Sequence, residues 1–447
     1  MLAGLLGLAG SVAQAQNDDT KESSSKRDAN GNPVAPDSRV DATVDTADSS
    51  ASPADAKSPA RYVAALNSDR LIQMGAGRNF RFLYGSSFTE AWDNHLGGNG
   101  RGQSGTLTLF KPFLGVTGHS EKLDYLFQYS STISTVNEFD PGFSSFHQSD
   151  LQLTGQFNRG WGWDLAQSTR YGVDQLRMLS ALGFDVVGGT VSGANAGQSV
   201  LQLGNQNIFG ETTSVGLHWQ PSERQRIAFT LGHTYYSILS NSSHTSLGNY
   251  RLDFERAINR KTRFNVYTDG GRYFDQSHSG CIFYGGGAGI TWLPTQRVSM
   301  HAEGGPSTGS PQCSSQRGAQ GSGGLAVILG PFSTFYLQGA RQLYAPVQLP
   351  HSETIDSIST GYARQFRRGM FFRLDTGYAR LTDGFVTPVV SLNGYFVSPQ
   401  LGWQISPSVS ASLNYRHMYQ ILGLSNLNRN QALFVIDWRP APKGFYK

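Results

Sequence analysis

Five residues early in the chain, Asp93, His95, Asp140, His147 and Asp150, bring carboxylates and imidazoles close together in sequence. Hydrolytic enzymes build a general base from such pairs. Spacing alone fixes no Ser–His–Asn or Asp–His geometry here, so no catalytic set is expected from them. His301 and Glu303 lie two apart, and on a strand their side chains would share one face. That is workable for a metal ion, but no third ligand accompanies them. The run Gly285-Gly286-Gly287-Ala288-Gly289 has the composition of a phosphate-cradling loop. A nucleotide fingerprint needs a strand before it and a helix after it, whereas Ile290-Thr291-Trp292 follows here, a strand signal. Ser23-Ser24-Ser25-Lys26 matches an S-x-x-K pattern but lies in a stretch without periodicity. Cys281 and Cys313 are the only cysteines and form no C-x-x-C pair, so a zinc site is not expected either. These residues predict no enzyme, no cofactor and no metal centre.

The composition says what kind of scaffold carries them. Charged residues make up 15% of the 447, against about 25% in soluble proteins. Glycine is abundant, at 53 residues, and aromatics reach 12%, yet the mean hydropathy of −0.33 is mildly hydrophilic. A bundle of membrane helices would be strongly hydrophobic, and a disordered chain would be poor in aromatics. A protein with one wall toward lipid and the other toward water gives this mixture. The net charge of +4 is spread along the chain with no basic stripe, so nucleic acid is not an expected partner.

Residues 1–15 read as a secretory signal peptide: an apolar stretch from Leu2 to Gly10, then Ala13-Gln14-Ala15 in an A-x-A cleavage pattern. The apolar stretch is too short to span a membrane. Residues 16–75 read as a disordered periplasmic tail, with a short helix over Tyr62–Leu66. Up to Ala60 this segment has no aromatic residue and cannot bury enough apolar surface to offset its ordering entropy.

Over residues 76–447 the pattern changes. No run of 18 apolar residues occurs, so no transmembrane helix is predicted. Short segments instead alternate with the two-residue period of a strand with unlike faces. Tyr250, Leu252 and Phe254 oppose Arg251, Asp253 and Glu255; Val215, Leu217 and Trp219 oppose Ser214, Gly216 and His218; Phe372, Leu374 and Tyr378 oppose Arg373 and Asp375. Phe434, Ile436 and Trp438 share one face of the last strand. Eight short polar breakers, around residues 118–120, 158–160, 221–223, 259–261, 294–296, 330–331, 367–369 and 406–408, alternate with longer Gly/Ser/Asn-rich stretches. The longer stretches fall near 89–103, 134–148, 237–246, 271–280, 305–317, 343–353, 381–391 and 420–428, with one long loop from Tyr171 to Gly210.

Eight short turns join sixteen strands, and one strand at each end makes eighteen, with sixteen as the alternative count. The fold class expected is all-β, a transmembrane antiparallel up-and-down β-barrel. In lipid an unpaired backbone group costs several kcal/mol, so a spanning sheet must close on itself. A soluble sandwich would need a dry apolar core, and the second face here carries charges. Tryptophans 161, 163, 219, 292, 403 and 438 fall near strand ends, as interfacial girdles do.

With this pattern, and with a last strand Gln431-Ala-Leu-Phe-Val-Ile-Asp-Trp438 ending on an aromatic residue, the chain resembles Gram-negative outer-membrane porins. The likeness is architectural, and Arg439–Lys447 extend beyond the aromatic end. It implies an outer-membrane location, lipid around the barrel, and a monomer or a homo-oligomer such as a trimer. Barrels of this strand number enclose an aqueous channel. The expected function is passive diffusion of small hydrophilic solutes, the alternative being a plugged structural, adhesive or surface-recognition barrel. Strand parity makes Arg251, Asp253, Glu255, Arg263, Asp269, His301, Glu303, Arg373, Asp375, Arg416 and Asp437 the candidates for the inner wall, with the loop 171–210 folding inward as a constriction. Cys281 and Cys313 fall in neighbouring outside hairpins. A disulfide between them would close about 33 residues and contribute roughly 3–4 kcal/mol.

Overall fold

The structure is a computed structural model that describes residues 81–96, 103–120, 122–136, 140–158, 160–173, 207–239, 243–275, 278–310, 317–344, 353–366, 369–382, 391–422 and 425–440. Residues 1–80, which hold the segments expected to be a signal peptide and a tail, most of the stretch 171–210 and residues 441–447 lie outside them. Eighteen strands follow one another: β1 (Arg81–Leu96), β2 (Gln103–His119), β3 (Leu123–Val136), β4 (Asp140–Asn158), β5 (Trp161–Gly172), β6 (Ile208–Ser222), β7 (Gln225–Ile238), β8 (Ser243–Asn259) and β9 (Thr262–Asp275) form the first half. The second half is β10 (His278–Thr295), β11 (Val298–Gly309), β12 (Arg317–Gly330), β13 (Ser333–Tyr344), β14 (Glu353–Gln365), β15 (Met370–Thr382), β16 (Ser391–Ser406), β17 (Val409–Leu422) and β18 (Ser425–Trp438). Each strand pairs antiparallel with its sequence neighbours, and β1 also pairs with β18, from Ser86↔Trp438 to Asp93↔Gln431. The sheet is therefore a closed up-and-down barrel without an edge.

Alternation along each strand sorts side chains to two walls. Tyr250, Leu252 and Phe254 are each about 40% exposed on a surface with nothing packed over them, while Arg251, Asp253 and Glu255 point the other way. Trp161 stacks on Trp219 at 5.5 Å and Tyr84 meets Trp438 edge-on at 5.9 Å, both at the short-turn end of the outer wall. Toward the other end, His147 stacks between Tyr129 and Tyr171. Trp161 and Tyr171 both lie on β5. At about 3.3 Å of rise per residue and a tilt of about 40°, they stand roughly 25 Å apart along the barrel axis. That matches the apolar band of a membrane barrel between its aromatic girdles.

Two features depart from the sequence reading. The strands run 12 to 19 residues, longer than the roughly 9–11 needed to cross a bilayer. They therefore continue into stretches read as loops, most clearly at 134–148 and 271–280, where β3 ends at Val136, β4 begins at Asp140, β9 ends at Asp275 and β10 begins at His278. Beyond the apolar band an outward side chain need not be hydrophobic for the ladder to persist, so polarity there does not signal a loop. Among the described residues the outer wall also carries three carboxylates, of which Asp356 pairs with Arg341 at 3.3 Å. Glu90 accepts from Thr108 at 2.8 Å, and Glu211 accepts from Gln167 at 3.1 Å and from Thr213 at 3.3 Å. Each is satisfied by side chains on the same wall, which lowers the cost of placing it there.

Candidate functional site

The inner wall holds most of the ionisable side chains; β2 through β7 contribute Lys111, Arg170 and Arg226 with Asp124, Asp150 and Asp164, and the remaining two arcs are built differently from each other. On β8 through β12, Arg251 donates to Asp253 through Nε at 2.7 Å and Nη2 at 2.9 Å, and to Glu303 through Nη1 at 3.3 Å and Nη2 at 2.9 Å. Its guanidinium lies 4.1 Å from the centre of the Tyr267 ring. Glu303 also accepts from Ser322 at 3.3 Å and Asn265 at 3.5 Å. Gln320 donates to Asp269 at 2.6 Å, and Arg263 donates to Glu255 at 3.1 Å.

Arg251 and Glu303 stand three strands apart, roughly 14 Å at the usual interstrand spacing. Side chains converge over that distance only on the concave side of a curved sheet, so these contacts identify the inner wall. The intervening β10 contributes Gly285, Gly287 and Gly289 to that face. A methyl group added at Gly289 would lie 2.7 Å from Cβ of Glu303, and one at Gly287 would lie 2.9 Å from the Tyr267 hydroxyl. The glycine run is thus a cleared saddle through which the network crosses β10. Gly361 does the same on β14, where a methyl group would lie 2.7 Å from Oδ1 of Asp375.

On β13 through β18 and β1 the second network is sealed. Tyr336 donates to Asp375 at 2.7 Å and Arg373 Nε donates to the same carboxylate at 2.5 Å. Arg416 donates to Gln431 at 3.3 Å, Gln431 donates to Asp93 at 2.8 Å, and Arg429 grips both oxygens of Asp93. The side chains of Arg373 and Asp375 are 8% and 5% exposed, and those of Arg429 and Asp93 only 1% and 3%. By contrast Arg251 is 32%, Asp253 23% and Glu303 16% exposed. Among the described residues, the β8–β12 arc is therefore the exposed, wet part of the inner wall and the β13–β1 arc its covered, dry part.

The remaining chemistry-bearing residues are dispersed. Asp93 belongs to the wall of β1 rather than to a loop. His147 and Asp150 lie on β4 with opposite parity, so His147 joins the outer aromatic stack while Asp150 accepts from Gln148 at 2.8 Å on the inner face. The side chains of His95 and Asp140 lie outside the described residues, as does most of the stretch 171–210 expected to form a constriction. His301 shares its face with Glu303, which Arg251 occupies. Among the described residues no group of three or more His, Cys, Asp or Glu side chains is placed to hold a metal. Asp437 pairs with Arg439 at 3.5 Å near the short-turn end. Cys281 is disulfide-bonded and 4% exposed beside Tyr273 on the inner face, and Cys313 lies outside the described residues.

Sequence reasoning singled out Asp93 only as a loop carboxylate and did not assign Arg429, Gln431 or Tyr336 to the inner wall. Asp93 and Arg429 fall in or beside stretches whose polarity suggested loops. The alternation that would have claimed Asp93, through Thr89 and Ala91, is interrupted on the other face by Glu90.

No protein-family model matches the chain, and no curated protein matches it. Among solved structures, it is similar to the outer membrane protein OpdK from Pseudomonas aeruginosa, at 10% identity and a TM-score of 0.43 over 80% of this chain and 98% of that one. It is also similar to the siderophore receptor PirA from Pseudomonas aeruginosa, at 11% identity and a TM-score of 0.40 over 81% of this chain and 80% of that one. The FrpB iron transporter from Neisseria meningitidis matches at 8% identity and a TM-score of 0.43 over 78% of this chain, which spans 63% of that protein. At these identities the likeness is one of architecture.

Proposed function

We propose that the barrel stands in the outer membrane of a Gram-negative cell, with its short turns toward the periplasm, and passes small hydrophilic solutes by passive diffusion. The observation that carries this reading is the contrast between the walls. The outer wall is mostly apolar between two aromatic girdles, with Glu90 and Glu211 satisfied by neighbours on the same wall, and the inner wall carries the exposed charges Arg251, Asp253 and Glu303. Ions at that depth are stable only where water or protein dipoles replace lipid. Among the described candidates, His147 and Asp150 face opposite walls, and the proposal includes no enzymatic role.

A second reading, a plugged recognition or structural barrel, draws on the apolar groups on the inner face toward the long-loop end, such as Phe146 with Ile208, Tyr236 and Ile238. Planar-bilayer recording of the refolded full chain separates the two. Discrete, salt-dependent steps of ohmic conductance are expected. Insertion into the bilayer without conductance would favour the plugged barrel.

A further inference from the structure

We infer that the wet side of the inner wall, β8 through β12, makes the conduit prefer cations, with Asp253, Asp269 and Glu303 as the specificity-determining residues. This rests on the channel reading above. Solutes can be sorted only by charges they meet through water. On the described side chains of the wet wall those are two arginines, Arg251 and Arg263, against four carboxylates, Asp253, Glu255, Asp269 and Glu303. The arithmetic is 2 − 4, a local charge of −2 on β8 through β12 with His301 neutral; Arg226 on β7, the ladder partner of Glu255, offsets one of these charges at the edge of the cluster and leaves Asp253, Asp269 and Glu303 as its negative centre. The dry wall has the opposite balance, Arg373, Arg416 and Arg429 against Asp93 and Asp375, but its charges are turned onto one another and covered. That balance, 3 − 2, leaves +1 behind covered side chains, whereas the charges of β8 through β12 are the ones a solute meets directly.

The geometry also explains why Arg251 does not neutralise the cluster. Its donors are committed to Asp253 and Glu303, and its ring-facing side rests on Tyr267. Asp269, by comparison, is held by the neutral amide of Gln320. The saddle of Gly285, Gly287 and Gly289 leaves these carboxylates unscreened by any side chain from β10. A charged cluster beside a water-filled passage with low-dielectric walls focuses its field on the passage.

The test is the reversal potential of the full-length protein in a planar bilayer under a KCl gradient at low salt. The wild type should pass K⁺ in preference to Cl⁻. The near-isosteric pair Asp269→Asn and Glu303→Gln keeps hydrogen-bonding groups in place while removing two negative charges. It should lower the permeability ratio about threefold, an effect that shrinks as salt is raised. Anion preference or no preference in the wild type overturns the inference whether or not the variant folds. So does an unchanged ratio in a folded variant. Absence of any conductance would instead remove the channel reading, and this inference with it.

Discussion

Replacing Arg429 by alanine should destabilise the barrel by about 3–5 kcal/mol, the cost of stranding a buried charge. Arg429 and Asp93 are among the least exposed charged side chains of the inner wall, and they join β18 to β1, the pair that closes the sheet. The β1–β18 ladder reaches Asp93↔Gln431 at its long-loop end, so the ion pair clamps the seam where its backbone pairing stops. Asp93→Ala should cost a similar amount. Replacing both residues by apolar ones of matching size should recover much of the loss, because the desolvation penalty disappears together with the attraction. Urea unfolding in detergent, read as the shift from heat-modifiable to unfolded mobility in gels, measures this. A single variant within about 0.5 kcal/mol of wild type, the range of ordinary surface changes, would show that the seam does not depend on the pair.

A contrast of similar size is expected between adjacent residues of β8. Phe254→Arg places a cation on the outer wall and should cost roughly 2–4 kcal/mol if the position lies near the bilayer midplane. Asp253→Arg, one residue away, faces the inner wall. It should fold with nearly wild-type yield, since Arg251 keeps Glu303 as a partner, and should move ion selectivity toward anions. Folding yields into lipid vesicles, compared at matched protein concentration, check the pair. Equal yields would overturn the assignment of the two walls.

Much of this architecture was legible because a barrel strand writes its two environments into alternate residues. The eight short turns and the two-residue period favoured eighteen strands over sixteen, the number found, and the parity of Arg251, Asp253 and Glu255 against Tyr250, Leu252 and Phe254 is plain in the sequence. The lengths of the strands were not legible. Outside the apolar band a paired strand and a polar loop have the same composition, as at Ser134 and Ser144, whose hydroxyls meet at 2.6 Å across β3 and β4. Nor was the division of the inner wall. Contacts such as Arg251 with Glu303 or Tyr336 with Asp375 depend on curvature and on glycines in the strands between, which no local pattern encodes. Gly285 to Gly289 illustrates the point, since a run with the composition of a phosphate loop proves to be a gap left for side chains of β8, β9, β11 and β12.

The central claim is that a single strand separates lipid from water, residue by residue. It is tested most directly on β8. Each position from Tyr250 to Glu255 would be changed singly to cysteine, in a chain with Cys281 and Cys313 both replaced by alanine, and the protein reconstituted in vesicles. Labelling with a small water-soluble maleimide should then alternate, with positions 251, 253 and 255 reacting readily and positions 250, 252 and 254 slowly. Uniform labelling, or alternation of the opposite phase, would contradict the account.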